Sequence, residues 1–154
     1  TGGYYPPAKM NELIDSHERV IMLGHGWGHG LLSMKAFTYD NYIIDSKNFQ
    51  ALSRKNNSIF IWCYADEFVR RYRLKGISTG MFISESLEAF LHDIAANDAE
   101  IDASNHLFSM LLGNCLLAHS CVYKAYDAVR RDYQSVDGAN KVLNYNAARW
   151  QCFR

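Results

Sequence analysis

Apolar residues fall along this chain in two spacings. RVIMLG (19–24) and SIFIWCYA (58–65) are unbroken apolar runs of strand length, the pattern of strands buried on both faces of a sheet. ISTGMFIS (77–84) reads as a third strand and YIID (42–45) as a short one. Between them the spacing turns helical, in KMNELIDSH (9–17), SKNFQALSRK (46–55) and DEFVRRYRLKG (66–76). Ser46 is the expected N-cap of the second of these, which stops at Asn56-Asn57. The third opens on Asp66 and Glu67 and closes on Gly76. ESLEAFLHDI then begins another helix.

Beyond residue 96 the apolar positions 108, 111, 112, 115, 116, 119, 122, 126 and 129 keep helical spacing, with His119 counted as inward-facing. One long helix is predicted there, interrupted near Gly113, before a short final segment, NAARWQCFR. Residues 1–8 are a Gly/Tyr/Pro lead-in. The alternation of helix and strand predicts one α/β domain over 1–154, with a mostly parallel sheet of about four strands flanked by helices. Its α/β core covers 19–91, and a helical C-terminal third (97–154) packs on it.

The segment GHGWGHG (24–30) interrupts this pattern, with glycine at every second position around His25, Trp27 and His29. Two histidines four apart would share one face of a helix, as in a metal site, but the four glycines oppose helix formation and no third ligand is spaced to help. No metal or cofactor is expected. A helix N-terminus after Gly30 would let the loop hold a phosphate. The glycines could equally serve a tight turn at a strand end, with both histidines solvated. A fourth reading gives a histidine a nucleophile elsewhere in the chain.

Composition narrows these classes. Lys plus Arg equals Asp plus Glu, at 16 each, so no basic excess points to nucleic acid. No apolar run approaches the ~20 residues needed to span a bilayer. Cys63, Cys115, Cys121 and Cys152 form no CxxC pair, which fits reduced thiols and a cytoplasmic protein. TGGYYPPAKMNE has no signal-peptide pattern. It also lacks an initiator methionine, so an upstream segment or removed leader is an expectation.

One cysteine stands apart. In a parallel sheet, ligands gather beyond the carboxyl ends of the strands. The run at 19–24 delivers His25 to that edge, and the run at 58–62 delivers Cys63 there if the two strands are parallel. A thiol attacks as thiolate, and an imidazole within hydrogen-bond reach generates one near neutral pH. Gly26, without a β-carbon, can bring its N–H to a substrate carbonyl, and the Cys63 N–H can join it as an oxyanion hole. Asp66 and Glu67 oppose thiolate formation by like-charge repulsion.

An apolar strand ending in His-Gly, followed by one ending in Cys, resembles the clan CD cysteine peptidases: caspases, gingipains, separases and CHAT-domain proteases. LGHGWG is similar to the separase-type GHGxG, CYADEF (63–68) to the gingipain-type Cys-x-x-Gly-Asp-Phe, and ISESLEAF (83–90) to the Ala/Ser-Glu-x-x-x-Ala helix start. The resemblance covers residues 19–91. Ala65 stands where the family usually has glycine, and Trp62 precedes the cysteine where a small residue is common.

The resemblance implies a three-layer, caspase-like (Rossmann-like) fold and a cysteine endopeptidase, a hydrolase acting on a peptide or protein. Cys63 would be the nucleophile, His25 the base, Gly26 an oxyanion donor and His29 the reserve base. Trp27, His29, Asp66, Glu67 and Glu85 are candidate substrate contacts. Asp45, Asp66, Glu67, Glu85 and Glu88 flank the crevice, where they would either set a preference for a basic side chain, as in gingipains and separases, or serve only as helix N-terminal charges. Two rival functions are a catalytically silent caspase-like module that binds a partner, and a phosphate- or nucleotide-binding domain using loop 24–30.

Other residues have simpler readings. Cys115 and His119 share the apolar stripe of the long helix, so packing accounts for them. His17, His92 and His106 read as surface groups, and Arg70, Arg71, Arg73 and Lys75 as a solvated basic face. Tyr123, Tyr126 and Tyr133 make the C-terminal helix a candidate homo-oligomer surface, although covering the sheet is the simpler role.

Overall fold

The computed structural model describes residues 6–33, 42–134 and 140–154. The lead-in before Pro6 and the connection across 34–41 lie outside the described residues. The chain forms two compact units, one comprising the residues up to Gly80 together with Gln151–Arg154, the other Met81–Trp150. The α/β core read over 19–91 is therefore divided at Gly80.

The first unit is built on a mostly parallel four-stranded sheet. Helix α1 (Pro7–Ser16) leads into strand β1 (Val20–Leu23). A small antiparallel sheet follows, from β2 (Gly26–Trp27), β3 (Gly30–Leu32) and β4 (Tyr42–Ile44), then helix α2 (Phe49–Ser53). Strand β5 (Ser58–Ile61), helix α3 (Ala65–Arg71) and strand β6 (Gly76–Thr79) complete the run. The main sheet has the order β1-β5-β6-β7, where β7 is Trp150–Phe153. β1 pairs parallel with β5, and β5 with β6.

Ile14, Met22, Leu31, Ile44, Leu52, Phe60, Trp62, Phe68 and Val69 form one apolar core in this unit. β5 and β6 are buried at every position, as the unbroken apolar run of β5 requires. β1 departs from that expectation. It is an outer strand, so only one face is covered: Met22 is buried while Ile21 and Leu23 are 50% and 71% exposed.

Several element boundaries move for local reasons. Ser46 caps nothing; Asn48 precedes α2, and its side chain instead accepts from the Asp45 N–H. β5 ends at Ile61 because Tyr64 turns the chain with φ 63°. α3 stops at Arg71, with Arg73 at φ 51°, and Gly76 opens β6 instead of closing the helix. YIID does form a strand, but in the small sheet.

The second unit contains helices α4 (Ser86–Leu91), α5 (Asp98–Ala118), α6 (Val122–Gln134) and α7 (Lys141–Ala148). Glu85 and Glu88 cap α4 reciprocally, and Asn97 and Glu100 do the same for α5. α5 runs straight through Gly113, where a β-carbon would meet open space. The long apolar stripe breaks instead at His119, the C-cap of α5, so two helices stand where one was expected. The final segment, read only as a short tail, supplies strand β7. No helix among the described residues is long and apolar enough to cross a membrane.

Candidate functional site

Strands β1 and β5 end together. Leu23 is the register partner of Ile61, and the Gly24 N–H donates to the Ile61 carbonyl at 3.1 Å. His25 and Cys63 each follow that pair by two residues, one on each of two adjacent parallel strands spaced about 4.8 Å apart. Both therefore leave the sheet at the same carboxyl edge, where α/β folds hold their ligands. Gly24 makes the exit from β1 at φ 157°, a conformation a side chain would resist.

The loop after His25 is a folded hairpin. Gly26, Gly28 and Gly30 are buried, while His25, Trp27 and His29 are exposed. The alternation follows from strand geometry, which sends successive positions to opposite faces. Glycine is needed on the inner face because that face lies on other groups. A β-carbon at Gly26 would overlap the indole of Trp62, one at Gly28 the carboxylate of Glu67, and one at Gly30 the Ile44 carbonyl. No helix starts at Gly30, which instead begins β3.

The ladder of this hairpin also orients the Gly26 amide. Leu32 donates to the His25 carbonyl at 2.8 Å, and Gly26 stands opposite Leu31. Bonded and non-bonded pairs alternate in an antiparallel ladder, so Gly26 occupies a non-hydrogen-bonded position and turns its N–H away from β3.

Cys63 is half-buried in the turn between β5 and α3. That turn is fixed from the β6 side. Thr79 Oγ1 accepts from the Trp62 N–H at 3.2 Å and donates to the Trp62 carbonyl at 2.9 Å. The Tyr64 N–H donates to the Gly80 carbonyl at 3.1 Å. From the other side, Trp62 Nε1 donates to the Trp27 carbonyl at 3.1 Å, and the Trp27 and Tyr64 rings meet at 4.7 Å. Sequence reading missed Thr79, Gly80 and the role of Trp62. Only Trp62 carried a signal, being a large indole where the resembling family has a small residue.

The remaining candidates have other partners. His29 Nδ1 lies 2.7 Å from Arg71 Nη1, and since a guanidinium only donates, that nitrogen accepts. Arg71 is eight residues past Cys63 on the other end of α3, about 12 Å along a helix axis. Asp66 is buried at 7% exposure and accepts from Arg70 Nη1 at 2.9 Å and Gln151 Nε2 at 3.0 Å. Glu67 lies over Gly28. Glu85 caps α4 in the second unit. His25 and Cys63 thus leave the sheet at the same edge, with Gly26 and Trp27 lying on Trp62 and Tyr64, while His29, Asp66 and Glu85 have partners elsewhere.

Among the described residues, no three His, Cys, Asp or Glu side chains are grouped to hold a metal. The Cys63, Cys115, Cys121 and Cys152 thiols are all free of disulfides. Compared with known proteins, the chain matches no family model, no curated protein and no solved structure.

Proposed function

We propose that this protein is a cysteine peptidase of caspase-like type, acting on a peptide or protein by acyl transfer. The observation that carries the reading is the equal offset of His25 and Cys63 past the register pair Leu23–Ile61 on adjacent parallel strands. The resemblance over residues 19–91 supports the same pairing. So does the hairpin, which keeps the Gly26 N–H out of its own ladder.

In this reading His25 takes the Cys63 proton and the thiolate attacks the substrate carbonyl. The Gly26 and Cys63 amides bind the oxyanion. The C–N bond breaks as His25 returns the proton to the leaving amine, leaving a thioester. Water, deprotonated by His25, cleaves the thioester to a carboxylate and restores the thiol.

The phosphate-loop alternative needed a helix N-terminus after Gly30, and a strand stands there. The preference for a basic side chain loses three of its carriers, because Asp66 is taken by Arg70 and Gln151, and Glu85 and Glu88 by the cap of α4.

Iodoacetamide labelling of each cysteine, read by peptide mass spectrometry across pH, tests the dyad. Near pH 6 to 7 (about neutral, where a free thiol is mostly protonated) Cys63 should label far faster than Cys121 or Cys152, and His25→Ala should remove the advantage. Equal labelling of Cys63 and Cys152, or indifference to His25→Ala, would leave a silent binding module as the better account.

A further inference from the structure

We infer that Trp62 is the positioning residue that holds the His25–Gly26 segment in place beside Cys63. The inference rests on the Cys63–His25 reading above and assigns to it a part that the chemistry alone does not name.

Trp62 precedes Cys63 directly, so its backbone moves with the nucleophile. That backbone is fixed on both polar groups by the Thr79 hydroxyl. Its side chain reaches the opposite strand end. Nε1 donates to the Trp27 carbonyl at 3.1 Å, and the ring lies so close under Gly26 that a β-carbon there would stand 2.6 Å from Cγ. One rigid side chain therefore touches the residue after the base and the next residue along, while being covalently joined to the nucleophile.

The indole itself has little freedom. It is 2% exposed, with ring centroids of Phe60 at 5.8 Å and Phe68 at 5.7 Å, both in edge-on arrangements. The short HGWGHG segment has no apolar side chain of its own on its inner face, because that face is glycine. What orients it is the surface on which it lies. Trp62 supplies that surface under Gly26 and a side-chain donor bonded to the Trp27 carbonyl.

A misplacement of about 1 Å in such a site can cost a hundredfold in rate, so a single lost hydrogen bond here should register in the chemistry of Cys63. The test compares wild type, Trp62→Phe and a protein with benzothienylalanine at position 62, which keeps the fused ring and removes only the N–H. The readout is the pH profile of Cys63 alkylation by iodoacetamide, measured well below each protein's melting temperature.

The expected result is a fall of about tenfold in labelling near pH 6, with the alkaline plateau unchanged, because fewer molecules hold the imidazole where it stabilises the thiolate. Leu52→Ala, a core change of the same unit, should lower the melting temperature and leave the profile alone. That separates positioning from mere loss of stability. If Trp62→Phe fails to fold, the benzothienylalanine protein decides the matter.

A normal profile in the ring-preserving variant overturns the inference while leaving the dyad standing. Wild-type labelling that ignores His25→Ala overturns both.

Discussion

Gln151 donates its side-chain amide to the carboxylate of Asp66 at 3.0 Å, joining two residues 85 positions apart in sequence. Arg70 completes the arrangement, bonding Asp66 at 2.9 Å and the Gln151 side-chain oxygen as well, while its guanidinium lies 5.4 Å from the centre of the Phe153 ring. This is how the returning strand β7 is tied to helix α3, immediately after the Cys63 turn.

Asp66→Ala should therefore destabilise the first unit by about 1 kcal/mol, since it removes the acceptor shared by Gln151 and Arg70, while the half-exposed Arg70 can turn to water. Asp66→Asn should fall between the two, because its amide oxygen still accepts from Arg70. Urea unfolding followed by tryptophan fluorescence gives the order, and an Asp66→Ala midpoint equal to wild type would contradict it.

Gly26→Ala places a methyl group into the Trp62 indole. Overpacking of this kind costs about 1–3 kcal/mol. A lower melting temperature and a loss of the Cys63 labelling advantage are expected together, because the methyl lifts the hairpin from the ring that supports it. Retention of both would mean that the hairpin can shift without consequence.

Cys115 provides an internal reference for the labelling experiments. Burial pushes its thiol above the ordinary value of 9.0, and Asp132 adds to the effect while Arg131 opposes it. Alkylation requires the thiolate, so Cys115 should begin to label only on the alkaline side of an ordinary free thiol. Earlier labelling of Cys115 would show that α5 opens under native conditions.

Tyr133 makes the second unit sensitive to alkali. Its hydroxyl lies 3.1 Å from Ser104 Oγ in a buried position. Burial raises the phenol above 10.0, outweighing hydrogen bonds from Ser104 and Asn146 that pull it down. The unfolded chain then ionises first. Stability is complete below about pH 10 and declines as pH climbs toward the folded-state value. At pH near 8 (about two below the ordinary phenol) Tyr133→Phe should cost about 1 kcal/mol by removing the partner of Ser104. Above pH 10 (roughly the unfolded phenol) the two proteins should converge. Parallel denaturation curves at both pH values would refute this.

Much of the first unit could be read from the chain because its elements are continuous and strongly apolar. SIFI announced a strand through its own composition, and DEFVRRYRLKG a helix through its spacing and its acidic start. The placement of His25 and Cys63 just past two strand ends was legible for the same reason, as each follows such a run. The hairpin at 26–32 was hidden because its inner face is glycine, which leaves no apolar alternation to detect. β7 was hidden because a four-residue strand is specified by its neighbour β6 and by partners such as Asp66, none of them nearby in sequence. The break at His119 carried no glycine or proline, whereas Gly113 did attract attention and proved to be an ordinary exposed helical position.

Because the second unit lies between β6 and β7, the parallel sheet has an order of assembly written into its connectivity. β1, β5 and β6 can pair as soon as the chain up to Gly80 has emerged from the ribosome. The outer strand arrives only after all of Met81–Trp150 has been synthesised, and the ends it must bring together are separated by that whole unit. The entropy of closing such a connection grows only slowly with its length, but a second unit that has already folded brings its two ends together in advance. Until that unit has been made, the edge beside β6 has no partner strand and Asp66 waits for Gln151.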